Sequence, residues 1–211
     1  HRMSADHRIR HLALTETHIL LTLADGRTLR EPIRRHIRLE KASPAERAQW
    51  QLVDDDHGVV WPALLAPSAA GMLNVRDLLW DAHYESALAA LRAVEWKLDS
   101  LPQREQELVA LWRMEADINN GGFMQFLCNW GDPTCQLALL ALGKIGAART
   151  RAILADMRGL VDRFEAAPEV IQLNDIYGTM TEAEQARLHE LDEAYFDYPD
   201  DLARLGLAYY D

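Results

Sequence analysis

The chain has 211 residues, of which 49 % are hydrophobic, so it is long enough to bury a core without disulfides or metals. Its formal net charge of −11 argues against nucleic acid or an anionic membrane as a direct partner. The apolar runs are far shorter than the roughly 20 residues that a membrane span needs. His1-Arg2 before Met3 is typical of a cloning remnant, no secretory signal follows, and a cytoplasmic location is expected.

The negative charge is concentrated near the C-terminal end of the sequence. Residues 164–211 contain 12 acidic and two basic residues, a net charge of −10, whereas residues 1–66 carry +1. The asymmetry is consistent both with a surface for a basic partner and with an ordinary solvated face, and both interpretations stay open. The candidate partner-binding face consists of eight carboxylates: Glu182, Glu184, Glu190, Asp192, Glu193, Asp197, Asp200 and Asp201.

The first part of the chain has the alternating pattern and the turn residues of a small sheet. Asp25-Gly26 predicts a hairpin turn, Pro32 ends the returning strand, and a capping box from Ser43 to Glu46 starts a short helix. These patterns predict an α+β N-terminal domain over residues 1–79, a small antiparallel sheet with a short helix, and its boundary falls within residues 66–82. The predicted strands are residues 11–14, 18–23, 27–30, 51–53 and 58–61.

Three motifs in this part carry a resemblance to a known family. They are Leu23-Ala24-Asp25-Gly26-Arg27, then Gly58-Val59-Val60-Trp61-Pro62, then Leu73-Asn74-Val75-Arg76-Asp77-Leu78-Leu79. On these motifs residues 10–79 resemble the DUF2442 family, and depart from it at residues 63–66, where the family has acidic residues. The resemblance implies no defined activity, but it favours an antitoxin or immunity context because members often lie beside toxin-like genes.

From Tyr84 onward the apolar residues follow the helical period, and capping signals divide them into successive helices. The pattern predicts an all-α helical C-terminal domain over residues 80–211. The first predicted helix runs from Tyr84 to Leu101, and the second runs from a capping box at Ser100 to a break at 119–122. A third begins at Phe123, and a fourth runs from Asp132-Pro133 to Gly146. The last three cover 153–164, begin at a capping box at Thr181, and cover 200–210.

Three blocks in this part carry a second resemblance. The first runs from Glu115 to Phe126 as Glu-Ala-Asp-Ile-Asn-Asn-Gly-Gly-Phe-Met-Gln-Phe, with Asn129 and Gly131 after it. The others are residues 141–147 and 191–196, the latter followed by Asp200-Asp201-Leu202. Residues 100–211 therefore resemble the DUF4375 family of DMP19-type DNA-mimic proteins. The resemblance implies a protein that presents carboxylates in place of DNA phosphates.

The motif corner is the turn inside the first block: Asn119, Asn120, Gly121, Gly122, Phe123, Gln125 and Phe126. We expect a structural role, in which the asparagines cap, the phenylalanines enter the core and Gln125 bonds to the backbone. The alternative is a ligand loop, because backbone amides at a helix start bind anions. No lysine or arginine flanks the corner closely in sequence, which disfavours the alternative.

The remaining chemistry-bearing residues give weaker signals. Cys128 and Cys135 lack zinc-site spacing, the histidines form no metal motif, and neither a metal nor another cofactor is expected. No nucleophile elbow, P-loop or dinucleotide fingerprint is present, so a non-enzymatic role is expected. Five aromatic residues lie among the terminal acids and either close a core or form an interface: Tyr195, Phe196, Tyr198, Tyr209 and Tyr210.

The sequence therefore predicts an acidic protein-binding protein of the DNA-mimic type. Its expected partner is a basic protein, either a DNA-binding transcription regulator or a nuclease toxin, and the latter would make it an immunity protein or antitoxin. A small-ligand-binding protein or an enzyme that uses the corner at 119–126 is the alternative from a different class. A homodimer stays open.

Overall fold

The computed structural model describes residues 5–211, so the expected remnant His1-Arg2 and the expected start Met3 lie outside the described residues. The chain divides into two compact units. One extends to Trp80 and includes Asp211, and the other comprises Asp81–Tyr210. The predicted fold class, an α+β part followed by a helical part, is confirmed.

The first unit begins with an antiparallel sheet in the order β1-β2-β3, formed by Ile9–Leu14, His18–Leu23 and Thr28–Pro32. Alternate residues of β2 are buried, because successive side chains of a strand point to opposite faces. The tight turn is the predicted one. The Asp25 carboxylate accepts the backbone N–H of Arg27 at 3.0 Å, and the strand ends at Pro32 as expected.

A second antiparallel sheet follows in the order β4-β5-β6, formed by Gln51–Val53, Gly58–Val60 and Leu73–Asn74. Two short helices precede it, α1 (Ile37–Glu40) and α2 (Pro44–Arg47). The capping box at Ser43 is present, since its hydroxyl accepts the Glu46 N–H and the Glu46 carboxylate accepts the Ser43 N–H. Neither α1 nor β6 is signalled by the sequence pattern.

Helix α3 (Val75–Ala93) differs from the predicted helix at both ends. It begins nine residues before Tyr84 and stops well before Leu101, because Glu95 and Trp96 take left-handed backbone angles with φ of 54° and 67°. The predicted capping box at Ser100 is also wrong. Pro102 is the N-cap of the next helix, no side chain caps it, and Ser100 lies in a 3₁₀ turn instead.

The second unit consists of helices. The longest, α4 (Gln103–Ile145), has backbone breaks at Gly121-Gly122 and at Gly131. These confirm the helix breaks predicted before Phe123 and near Asp132. Its buried side chains, with those of the later helices, form the core of this unit. The later helices are α5 (Ala148–Val161), α6 (Asp175–Thr179), α7 (Glu182–Phe196) and α8 (Leu202–Tyr210). Among the described residues, no helix is long and apolar enough to cross a bilayer.

Candidate protein-binding face and motif corner

Helix α7 carries six of the eight predicted acidic residues or ends at them. Its start is fixed by the predicted capping box, in which the Thr181 hydroxyl accepts the Glu184 N–H at 3.2 Å and Glu184 accepts the Thr181 N–H at 2.8 Å. Its buried side is formed by Leu188, Leu191 and Tyr195, each at most 4 % exposed. The helix therefore lies with one side against the core and the other in solvent.

Four of the predicted acids are exposed on the solvent side of α7: Glu182, Glu190, Glu193 and Asp197. At about 100° per residue their directions fall within one quarter of the helix circumference, opposite the buried side. They span 15 residue steps, or about 22 Å along the axis. Two contacts reach them, from Arg187 to Glu190 at 3.2 Å and from His189 to Glu193 at 4.0 Å. We call these four residues the outer face.

The other four predicted acids are engaged within the unit. The Glu184 carboxylate accepts two hydrogen bonds from the Arg163 guanidinium, at 2.6 and 2.7 Å, and these bonds lower the pKa of Glu184 to about 2. The Asp201 carboxylate accepts the Arg204 N–H at 3.0 Å and so caps the start of α8. Glu184 thus stabilises the start of α7 and Asp201 the start of α8.

Asp200 has the same kind of role at another helix. Its carboxylate accepts the backbone N–H of Thr150 at 2.7 Å and the Thr150 hydroxyl at 3.0 Å. Thr150 lies in the first turn of α5 and is buried, so this carboxylate satisfies a donor that the helix leaves without an intrahelical partner. The contact ties the turn before α8 to the start of α5.

Asp192 joins the acidic segment to the motif corner. Its carboxylate accepts the backbone N–H of Phe123 at 2.9 Å, at the point where α4 resumes after its first break. Burial raises the pKa of Asp192, although the hydrogen bond from Phe123 opposes the shift. The anion that the corner could bind through its backbone is thus supplied by the chain itself.

The motif corner is built as a helix break with a packed interior. Gly121 and Gly122 leave helical backbone angles, and Gly122 has φ 79° and ψ −179°. Phe123 and Phe126 are fully buried, as expected. The expected bond from Gln125 to the backbone is wrong: its amide donates to the Asp117 carboxylate at 3.1 Å and accepts from the Asn120 amide at 3.1 Å. Asn119 is exposed.

Asp117 is the centre of a polar cluster beside the corner. Besides Gln125, it accepts the Asn129 amide at 3.1 Å and the Trp130 indole N–H at 2.6 Å. These bonds hold the helical segments before and after the break against each other. Glu115, two residues earlier, leaves α4 in another direction and accepts the hydroxyls of Tyr84 and Tyr198. Residues two apart leave a helix on different sides, so these two carboxylates do not share a site.

Arg113 is a residue of this region that the sequence analysis missed. It lies one turn before Asp117, is 7 % exposed, and places its guanidinium 3.8 Å from the centre of the Trp130 ring. It stands six residues before the corner, so its sequence position alone did not associate it with the motif. The helix break folds Trp130 back onto it.

The five terminal aromatic residues divide between core and surface. Tyr195 and Tyr210 are buried, whereas Phe196, Tyr198 and Tyr209 are each 44–49 % exposed. Phe196 is the last residue of α7, and Tyr198 follows directly after Asp197. An apolar surface therefore borders one end of the outer face.

The two cysteines are free thiols. Cys135 is buried, which raises the pKa of its thiol to about 12, and burial also raises the pKa of Cys128. Such thiols are poor nucleophiles because little thiolate forms near neutral pH. Within residues 5–211, no group of three or more histidine, cysteine or carboxylate side chains is arranged to hold a metal ion.

Comparison with known proteins agrees with both resemblances. The family model described as a protein of unknown function, DUF2442, matches residues 12–66. No curated protein and no solved structure matches the chain. The family model described as DMP19-like protein matches residues 99–211, more than half of the chain. The chain belongs to the DMP19-like protein family.

Proposed function

We propose that this protein is a non-enzymatic, protein-binding DNA mimic. The outer face of α7 occupies the nucleic-acid-binding surface of a basic partner, and its carboxylates stand in the place of backbone phosphates. A DNA-binding transcription regulator is the proposed partner class. Membership of the DMP19-like family supports this proposal at the level of the family.

The observation that carries the proposal is the division of the eight predicted acids. Four accept a backbone N–H group at the start of a helical segment, and the other four share one solvent-facing quarter of a single helix, where Arg187 contacts Glu190. Glu190, Glu193 and Asp197 follow each other at spacings of three and four residues, which brings like charges to about 5–6 Å. Such crowding opposes folding, so a basic partner that relieves it gains binding free energy.

The rigidity of α7 also supports the proposal. Its N-terminus is capped by Thr181 and clamped by Arg163, and its middle is tied to the corner through Asp192. A mimic of a stiff polyanion gains from a fixed helix, because little backbone entropy is then lost on binding. The exposed Phe196 and Tyr198 at one end add apolar contact area to the charged face.

The small-ligand interpretation of the corner has less support. The Phe123 N–H, the backbone donor an anionic ligand would use, already binds Asp192. The side chains of Asn120 and Gln125 bond to each other and to Asp117. These contacts favour a structural role for the corner.

The test compares two variants that lose the same charge. The face variant neutralises the outer face: E182Q, E190Q, E193Q and D197N. The control variant neutralises four exposed carboxylates elsewhere in the same unit: E85Q, E95Q, D99N and E169Q. Wild type and both variants are immobilised and exposed to nuclease-treated lysate of the source cell, washed in steps of increasing salt, and analysed by mass spectrometry.

We expect wild type and the control variant to retain a DNA- or RNA-binding protein that elutes as salt rises, and the face variant to lose it. Duplex DNA added to the purified complex should displace the same protein. Capture of a nuclease rather than a regulator would assign the protein to the immunity class. Retention by the face variant, or loss by both variants alike, contradicts the proposal. Light scattering of the wild type tests the accompanying proposal of a homodimer.

A further inference from the structure

Arg113 is a buried cation with an unusual surrounding. Its guanidinium lies 3.8 Å from the centre of the Trp130 ring, within the range of a strong cation–π contact. Its Nε atom is fully enclosed and has no hydrogen-bond partner among residues 5–211. Only 7 % of the residue is exposed, and its terminal Nη atoms are not among the fully enclosed atoms without a partner. Burying a cation without a paired anion costs free energy, so the charge of this guanidinium calls for an anionic partner at its Nη atoms.

The nearest acidic side chain does not supply that partner. Asp117, one turn along α4, acts on Arg113 as a charge, but it lies beyond ion-pair contact with it. Its two carboxylate oxygens accept hydrogen bonds from Gln125, Asn129 and Trp130. These bonds fix the Trp130 ring in place. Asp117 thus holds the Trp130 ring against which the Arg113 guanidinium packs. It accepts no hydrogen bond from Arg113 itself.

Another arginine of the same unit shows what a satisfied case looks like. Arg163 also stacks on an aromatic ring, with its guanidinium 4.0 Å from the centre of Phe164. Its Nε and one Nη donate to the two oxygens of Glu184. Arg113 lies equally close to its aromatic ring and is buried, but its Nε has no hydrogen-bond acceptor in the part of the chain that the structure describes.

We propose that Arg113 and Trp130 form a binding site for a small oxyanion, a carboxylate or phosphate group. The guanidinium donates to the anion while the indole ring holds its plane in a fixed orientation. A planar, pre-oriented guanidinium matches the two oxygens of such a group, and an arginine stays charged in proteins at any physiological pH. The site is separate from the outer face and is independent of the proposed function.

The test follows anion binding to the intact chain and to three variants. R113Q removes the guanidinium, and R113K keeps the charge without the planar fork. R92Q is the matched control, because Arg92 also lies above a tryptophan, 6.0 Å from the Trp96 ring, but is exposed. Sodium phosphate and sodium acetate are titrated separately at pH 7, with sodium chloride adjusted to constant ionic strength. The readouts are the melting temperature and the guanidinium Nε–H resonances in nitrogen-15 spectra.

We expect a saturable rise in melting temperature for wild type and R92Q, no such rise for R113Q, and about tenfold weaker binding by R113K. The Arg113 Nε–H resonance should shift along the same binding curve. A response to phosphate alone identifies a phosphate group, a response to acetate alone a carboxylate, and a response to both a general oxyanion site. If R113Q does not fold, R113K and the wild-type resonance decide the matter. A wild type whose Arg113 resonance is unmoved by both anions, or an R113Q that binds like wild type, overturns the proposal.

Discussion

The carboxylate of Asp192 on α7 accepts the backbone N–H of Phe123, where α4 resumes after its break, at 2.9 Å. Sixty-nine residues separate the two partners along the chain. The contact joins the acidic segment to the motif corner, which the sequence presents as unrelated features. It places Asp192 among the acids that are used within the unit, whereas the four acids of the outer face lie in solvent.

Removal of the Asp192 carboxylate tests this division. D192A should lower the free energy of unfolding by about 1–2 kcal/mol, because the Phe123 N–H loses its acceptor. E193Q, the neighbouring substitution on the outer face, should change it by less than about 0.5 kcal/mol. Urea unfolding followed by circular dichroism measures both. Equal effects of the two substitutions would show that Asp192 is only another surface acid.

The raised pKa of Asp192 gives the contact a pH dependence. A carboxyl whose pKa is higher in the folded than in the unfolded chain contributes stability below its unfolded value, about 3.9, and loses that contribution as the pH rises through the folded value. D192N cannot titrate. The stability of wild type relative to D192N should therefore fall as the pH rises from about 3 to about 6. Unfolding free energies of both proteins across this range provide the measurement, and a difference that rises with pH contradicts the assignment.

Gly122 lies next to the Asp192 carboxylate and provides a second test of the same contact. Its φ of 79° with ψ near 180° is open only to glycine, and an added Cβ would lie 2.6 Å from the Asp192 carboxylate. G122A should cost about 3 kcal/mol or more. Gly146 also has φ 79°, but an added Cβ there meets nothing within 4 Å, so G146A should cost only about 1 kcal/mol. In a double-mutant cycle, G122A with D192A should cost less than the sum of the two, and strict additivity would exclude the contact.

Asp200 should behave as a helix cap and not as a binding residue. D200A leaves the Thr150 N–H and hydroxyl without their acceptor, so we expect a loss of about 1–2 kcal/mol. D197N, three residues earlier on the outer face, should lie within about 0.5 kcal/mol of wild type. Thermal unfolding compares the two variants. In the lysate experiment, folded D200A should retain the partner, whereas the face variant should release it.

Like charges on the outer face should make a salt-dependent difference to stability. Glu193 has Glu190 three residues before it and Asp197 four residues after it, so E193Q removes two repulsive neighbours. We expect a small gain in stability, up to about 0.5 kcal/mol at low salt, that shrinks as salt screens the charges. The measurement is the free energy of unfolding of both proteins at low and at high salt, made near pH 8. A gain that is the same at low and high salt would not come from charge repulsion.

Local signals in the sequence determined most of the elements of this protein. The hairpin at Asp25-Gly26, the capping boxes at Ser43 and Thr181, and the helix break at Gly121-Gly122 depend on short-range backbone preferences and hydrogen bonds. Each is therefore readable from a few adjacent residues. The concentration of negative charge in the last 48 residues is likewise a property of composition alone.

The tertiary structure decided which of the acids face solvent and which are used within the fold. Asp192 and Glu193 are adjacent and chemically alike, but one reaches the Phe123 N–H and the other points to solvent. Arg113 and Trp130 are 17 residues apart in the sequence, and they are in contact only because the helix break reverses the direction of the chain between them. Such partners are fixed by the direction in which packed helices present their side chains, and that direction follows from contacts between distant segments, which no local pattern contains.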